Sequence, residues 1–185
     1  MPLGIYSDIG VEKWHSDDVD GKSLIVQKGG KAGLVEMDSG KKIIPIAYDD
    51  IACNRLYCNA TYKDKTKIFD LSTNSFILDN KAYDAAYFGA KKHILKLKYF
   101  GVLDGKDFLV VDPSGQVVTK LASLGGYDDY WIDFGNSPVT KQTKVYVIVQ
   151  TGKTPKKGCA PAKQYTYTFD TKKITTKTTT ICGGM

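Results

Sequence analysis

Arginine is almost absent from this chain: Arg55 is the only one, and the rest of the 26 basic residues are lysines. Sequence-specific nucleic-acid sites lean on arginine for two-pronged contacts to bases and phosphates, so a surface of nearly pure lysine argues against that function. Histidine is scarce too. His15 and His93 stand in unrelated contexts, and there is neither a Gly-x-Ser-x-Gly elbow nor a Cys–His signature, so no nucleophile with its base is legible. No apolar run approaches the roughly 20 residues that a membrane-spanning helix requires. No stretch carries helix-length apolar periodicity, and "KAYDAAY" offers one helical turn at most. The opening "MPLGIYSDIG" has no basic segment followed by an apolar one and does not read as a signal peptide, although a leader replaced by Met1 would leave the same opening.

What the chain does have is strand signal. Of its 185 residues 42% are hydrophobic and 25% charged, the balance of a globular protein, and the expectation is one β-repeat domain over residues 1–185. "KSLIVQK", "KIFDLST", "SFILD", "HILKLKYF", "DFLVVD", "KVYVIVQ", "QYTYTFD" and "KITTKTTTI" are short runs rich in β-branched and aromatic residues. Turn-forming clusters such as "KGGK", "DSGK", "LDGKD" and "DPSGQ" separate them. The chain reads as all-β.

A frame recurs along it: strand, turn with Asp and Gly, strand, then Tyr-Asp. It is complete in "GKAGLVEMDSGKKIIPIAYDDI" at residues 30–51 and returns from Lys67, from Asp107 and, without the closing Tyr-Asp, in "YTYTFDTKKITTKTTTI". Tyr48, Tyr83 and Tyr127 are 35 and 44 residues apart, and "IYSDI" places Tyr6 another 42 before Tyr48. Such a period implies about four degenerate β-units of 35–45 residues. A small closed propeller-like array would remove the sheet edges; an open β-repeat stack or a β-sandwich is the alternative.

Four cysteines fall at C-x4-C and C-x22-C spacings, neither with the tight knuckle of structural zinc sites. Cys53 and Cys58 bracket "NRLY", a four-residue hairpin loop. Cys159 and Cys182 bracket a stretch that folds back near Asp170–Lys173, which sets position 159 opposite 182 within a residue or two. The expected disulfides are therefore Cys53–Cys58 and Cys159–Cys182. They imply an oxidising, secreted or periplasmic location, with a cytoplasmic protein holding four buried thiols as the other reading.

The wording of residues 30–51 resembles the unit of the bacterial WG-repeat family, roughly "GKWGLID-x-x-GK-x-IIP-x-x-YDDI". Gly30, Lys31, Gly33, Leu34, Val35, Gly40, Lys41, Ile44, Pro45, Tyr48, Asp49, Asp50 and Ile51 match it, and Ala32 stands in the place of the family's tryptophan. Later copies keep the turn and the Tyr-Asp but lose the Gly-Leu opening. The resemblance implies a binding scaffold of a kind often exported, with no shared catalytic residues. Read physically, Gly40, Gly105 and Gly115 suit turn positions of positive φ. Ile43, Ile44 and Ile46 supply core, and Pro45 belongs at an edge or bulge. Tyr48 packs its ring inward with its hydroxyl toward backbone, and Asp49 and Asp50 cap the following turn.

Other constellations are weaker. Ser16, Asp18, Asp20 and Gly21 occupy calcium-loop positions, but Gln27 stands where the bidentate Glu is needed. "TGKTP" lacks the first P-loop glycine, Val147 standing there, and Pro155 blocks the helix that would follow. The doublets Asp49–Asp50 and Asp128–Asp129 suit turn caps better than the paired carboxylates of a glycosidase. No cofactor and no metal site is expected. Charge is the sharper signal. Residues 1–136 hold 17 basic against 19 acidic residues, whereas residues 137–185 hold nine lysines and only Asp170. The segment "GNSPVTKQTKVYVIVQTGKTPKKGCAPAK" carries Lys153, Lys156 and Lys157 on a loop between two strong strands, near the interface-forming types Tyr130 and Trp131. These five are the expected binding residues. The function they suggest is a non-catalytic extracytoplasmic binding protein whose partner is a protein with an acidic surface, such as a toxin-neutralising immunity or inhibitor protein. The alternative is a carbohydrate-processing enzyme or carbohydrate-binding module using the Asp-rich turns.

Overall fold

The computed structural model describes residues 8–10, 22–54, 56–88, 99–124, 130–136, 143–151 and 158–182, with backbone alone at 8–10, 130–136 and 143. No α-helix occurs among them. Sixteen strands form four antiparallel sheets, each a four-stranded meander in sequence order. The first holds β1 (Asp8–Gly10), β2 (Ser23–Lys28), β3 (Lys31–Glu36) and β4 (Lys42–Tyr48), and the second β5 (Asp50–Cys53), β6 (Tyr57–Tyr62), β7 (Lys65–Asp70) and β8 (Ser75–Phe76). The third holds β9 (Ala85–Tyr87), β10 (Phe100–Asp104), β11 (Asp107–Val111) and β12 (Val117–Ser123), and the fourth β13 (Tyr130–Asn136), β14 (Thr143–Gln150), β15 (Cys159–Thr168) and β16 (Lys173–Cys182). The chain divides into two compact units, Met1–Ala86 and Tyr87–Met185.

The sequence frame maps onto these meanders. Each copy is the third and fourth strand of one sheet: β3–β4, β7–β8, β11–β12 and β15–β16. The closing Tyr-Asp then leads into the first strand of the next sheet, as Tyr48-Asp49 before β5 and Tyr83-Asp84 before β9. Tyr127, Asp128 and Asp129 lie outside the described residues.

Turn chemistry sets each register. Gly29 and Gly30, both at positive φ, form the two-residue turn between β2 and β3, and their neighbours Lys28 and Lys31 pair directly. Lys63 and Asp64 do the same between β6 and β7, at φ 48° and 58°. Gly40, Gly105 and Gly115 all have positive φ, as expected. Asp70 and Asp112 each bind the backbone N–H and the hydroxyl of a serine two residues on, which locks the turns after β7 and β11. Both expected disulfides join directly paired residues of neighbouring strands, Cys53 with Cys58 and Cys159 with Cys182.

Three local readings change. "KIFDLST" ends as a strand at Asp70, because the side chain of Asp70 captures the amide of Ser72. "SFILD" is a strand only as far as Phe76, with the Ile77 amide adding one bond to the Ile68 carbonyl; Leu78, Asp79 and Asn80 then turn at φ 59°, 53° and 56° while Leu78 is wholly buried. "KAYDAAY" is not helical: Thr66 and Tyr83 exchange backbone hydrogen bonds of 2.7 and 2.9 Å, and Ala85–Tyr87 is a strand.

In the first unit two sheets bury one core between them. Ile25, Ala32, Leu34 and Ile44 of the first meet Ile51, Cys58, Ala60 and Phe69 of the second. Pro45 lies on the edge strand β4, where pairing with β3 shifts on either side of Leu34, so it is both at an edge and at a bulge. The bulge presses Ile46 against Gly33. A Cβ on Gly33 would stand 2.6 Å from Ile46 Cγ1 and 2.8 Å from its Cα, and a backbone atom cannot swing aside. Close approach, not positive φ, requires this glycine. In the second unit Phe108, Val110, Leu121, Ala122 and Leu124 pack on Val145, Val147, Val149 and Tyr167. Replacement of Gly33 by Ala is expected to cost about 1–3 kcal/mol through overpacking. Urea denaturation monitored by tyrosine fluorescence checks it, and an unchanged midpoint would remove the proposed close approach.

Candidate functional site

Strand alternation puts Cys58, Ala60 and Tyr62 of β6 on one face, opposite Phe69, Lys67 and Lys65 of β7. At one end this face is apolar and buried against the first sheet. At the other it opens into a hollow of about 590 Å³. The floor and walls are Ala47 and Tyr48 from β4, Ala60 and Tyr62 from β6, and Ala82. Among the described residues four lysines, Lys31, Lys63, Lys65 and Lys67, line it, and no carboxylate does.

Each lysine is placed by a neighbour. Lys31 donates to Asp49, and the side chain of Asp49 also accepts the amide of Lys63 at 2.8 Å. Asp49 thus caps the β6–β7 turn and not the turn that follows it, whose amides at Leu56 and Tyr57 bind the side chain of Asn54 instead. Lys65 Nζ reaches Asp84 Oδ1 at 2.6 Å, and Lys67 Nζ reaches Asn80 Oδ1 at 3.0 Å. Asn80 closes the left-handed turn at 78–80, a conformation that costs about 1–2 kcal/mol per residue away from glycine; the burial of Leu78 holds it. Lys31 and Lys63 ammonium groups sit 4.9 and 5.3 Å from the centre of the Tyr62 ring. The ring of Tyr48 lies 5.9 Å from that of Phe76, and burial raises the phenol's pKa, so its hydroxyl stays protonated.

The second unit has a more polar hollow of about 450 Å³, lined by residues including Tyr99, Gln116, Val117 and Lys172. Tyr99 and Phe169 stack at 4.8 Å, and Tyr167 meets Phe169 edge-on at 5.1 Å. Asp112 at its margin accepts from Ser114 and from the amide of Gln116, so its charge serves the turn.

Of the residues expected from sequence, Tyr130 and Trp131 lie on β13, paired with Val149 and Ile148. Lys153, Lys156 and Lys157 are outside the described residues, as are Asp18, Asp20, His15, His93 and the Asp128–Asp129 doublet. Among the described residues no three His, Cys, Asp or Glu side chains converge on a point that could hold a metal ion. The lysine-lined hollow was missed because Lys31 is far in sequence from the rest. "KDKTK" carried part of the signal, since Lys65 and Lys67 alternate along β7 and share one face, with Lys63 in the turn before them.

Compared with known proteins, the chain matches no family model and no curated sequence.

The Lys31 ammonium, and next the Lys63 amide, hold Asp49 below the ordinary aspartate pKa. A depressed folded-state pKa adds stability above the unfolded value, and that stability is lost as pH falls through the folded value. NMR titration of the Asp49 carboxyl is expected to show this low pKa and its return upward in Lys31→Met. An identical titration in the two proteins would deny the ion pair.

Proposed function

We propose that this is a non-catalytic binding protein of an oxidising, extracytoplasmic compartment, and that it binds a protein presenting acidic groups. The observation that carries the reading is the hollow of the first unit, where four lysines line an apolar floor and the carboxylates paired with two of them, Asp49 and Asp84, stand outside the lining. An excess of positive charge around such a floor draws an acidic surface and raises its rate of association. The nine lysines of residues 137–185 add a second field of the same sign. Two disulfides on paired strands support the compartment, since such bonds persist where the medium is oxidising.

On this reading the WG-like unit at residues 30–51 is scaffold. Its conspicuous residues turn the chain, fill the core or hold Lys31 and Lys63 in place. An inhibitor or immunity protein that covers an acidic patch on a toxin is one form the function takes. The carbohydrate reading has less support. The turn aspartates Asp49, Asp70 and Asp112 are each committed to backbone amides, and a sugar would have to compete for them.

The test begins with a stoichiometric partner recovered from the native extracytoplasmic fraction. Lys156→Glu with Lys157→Glu is expected to slow association by about tenfold at low salt and much less at high salt, with an unchanged circular dichroism spectrum. Turnover of a glycan by the wild-type protein, abolished by Asp128→Ala or Asp129→Ala, would instead make it an enzyme.

A further inference from the structure

The lysines of the first unit's hollow are spaced as well as charged. Lys65 and Lys67 are alternate residues of one strand, so their side chains leave the same face about 7 Å apart. Any other extended chain has that repeat. Thr66 and Ile68, the residues in register between and beyond them, point the other way and are buried. The other sheet supplies Ala47 and Tyr48 of β4, half-buried or exposed and uncharged, with Lys31 of β3 also in the lining. A ligand matching both walls carries acidic groups at every second position on one side and apolar groups between them on the other.

We infer that this hollow receives an extended acidic peptide segment, with carboxylates at alternate positions on Lys65 and Lys67 and an intervening apolar side chain against Ala47 and Tyr48. The inference rests on the binding function proposed above and names the form of the partner at this site. The ammonium groups are ready for such a ligand. Each has three donors, and the bond from Lys65 to Asp84, or from Lys67 to Asn80, uses one of them. Being held already, they lose less freedom on binding than loose surface lysines would. A hollow of about 590 Å³ has the size of an ordinary ligand site and accommodates a few side chains, not a folded surface.

A single-stranded nucleic acid also repeats its charge, but it needs open aromatic faces for its bases. Here Tyr62 already has two ammonium groups against its ring, and Tyr48 is set against Phe76. Stacking would have to displace these partners, whereas carboxylates on Lys65 and Lys67 leave them in place.

The test is fluorescence anisotropy with labelled Glu-Leu-Glu-Leu-Glu, its Gln-Leu-Gln-Leu-Gln counterpart and an oligothymidylate of matched charge. The wild-type protein is expected to bind the glutamate peptide, to prefer it to both others, and to lose it at high salt. Lys65→Gln with Lys67→Gln should weaken that binding by about tenfold, two- to fivefold for each exposed lysine, without lowering the melting temperature. Unchanged peptide affinity in the Lys65/Lys67 variant overturns the inference, and so does tighter binding of the oligothymidylate. If a captured protein partner binds wild type and the Lys65/Lys67 variant equally but loses the Lys156/Lys157 variant, the peptide site falls and the binding function stands. If wild type binds neither the peptide nor any stoichiometric partner, both fall.

Discussion

A slip of one residue in a β-hairpin turns every side chain of a strand to the opposite face. Register is therefore the constraint on which this protein rests, and local turn chemistry sets it. The pair Gly29–Gly30 and the pair Lys63–Asp64 hold two-residue turns, and Asp70 and Asp112 bind the amides that close two more. With these turns in place, Leu34 and Ile44 of the first sheet fall into the same buried core as Cys58 and Phe69 of the second. Val110 likewise falls with Val145 and Val147. Without them the same residues would be exposed on strands with unpaired edges.

The same register makes the charged surface. Lys65 and Lys67 share a face with Ala60 and Phe69, so one strand is core at one end and cationic at the other. Asp49 holds two parts of the hollow at once, the Lys31 ammonium and the backbone of the β6–β7 turn. The left-handed turn at Leu78–Asn80 is an unfavourable local conformation repaid by the burial of Leu78, and it leaves the Asn80 amide oxygen on Lys67. Exposed ion pairs such as Lys31–Asp49 and Lys65–Asp84 add little to stability, so their effect is chiefly to position lysines.

Much of the fold was legible because its determinants are local. Glycine at a turn, an aspartate two residues before a serine, and alternation of β-branched residues act within a few positions, and the repeat frame marked where each sheet begins. The two disulfides were legible for the same reason, since a hairpin fixes the partner of each cysteine. What sequence hid depends on distance. Gly33 is required by Ile46, which approaches only because β4 bulges. The hollow joins Lys31 to lysines more than 30 positions on, across two sheets. Overall charge pointed elsewhere, to residues 137–185, because Asp49, Asp84 and their neighbours neutralise the first unit in the sum while its lysines remain grouped in space. The turn at 78–80 runs against the strand propensity of "SFILD", and a buried leucine outweighs that propensity.

The registers can be tested together through the cysteines. Each disulfide joins directly opposed residues, and a slip of one position in either hairpin would carry its two sulfurs to opposite faces, beyond bonding range. Peptide mapping of unreduced protein from its native compartment is the direct measurement. The account predicts two links within hairpins, Cys53–Cys58 and Cys159–Cys182, and no free thiol. A link from either member of the first pair to either member of the second, or four free thiols, would contradict it.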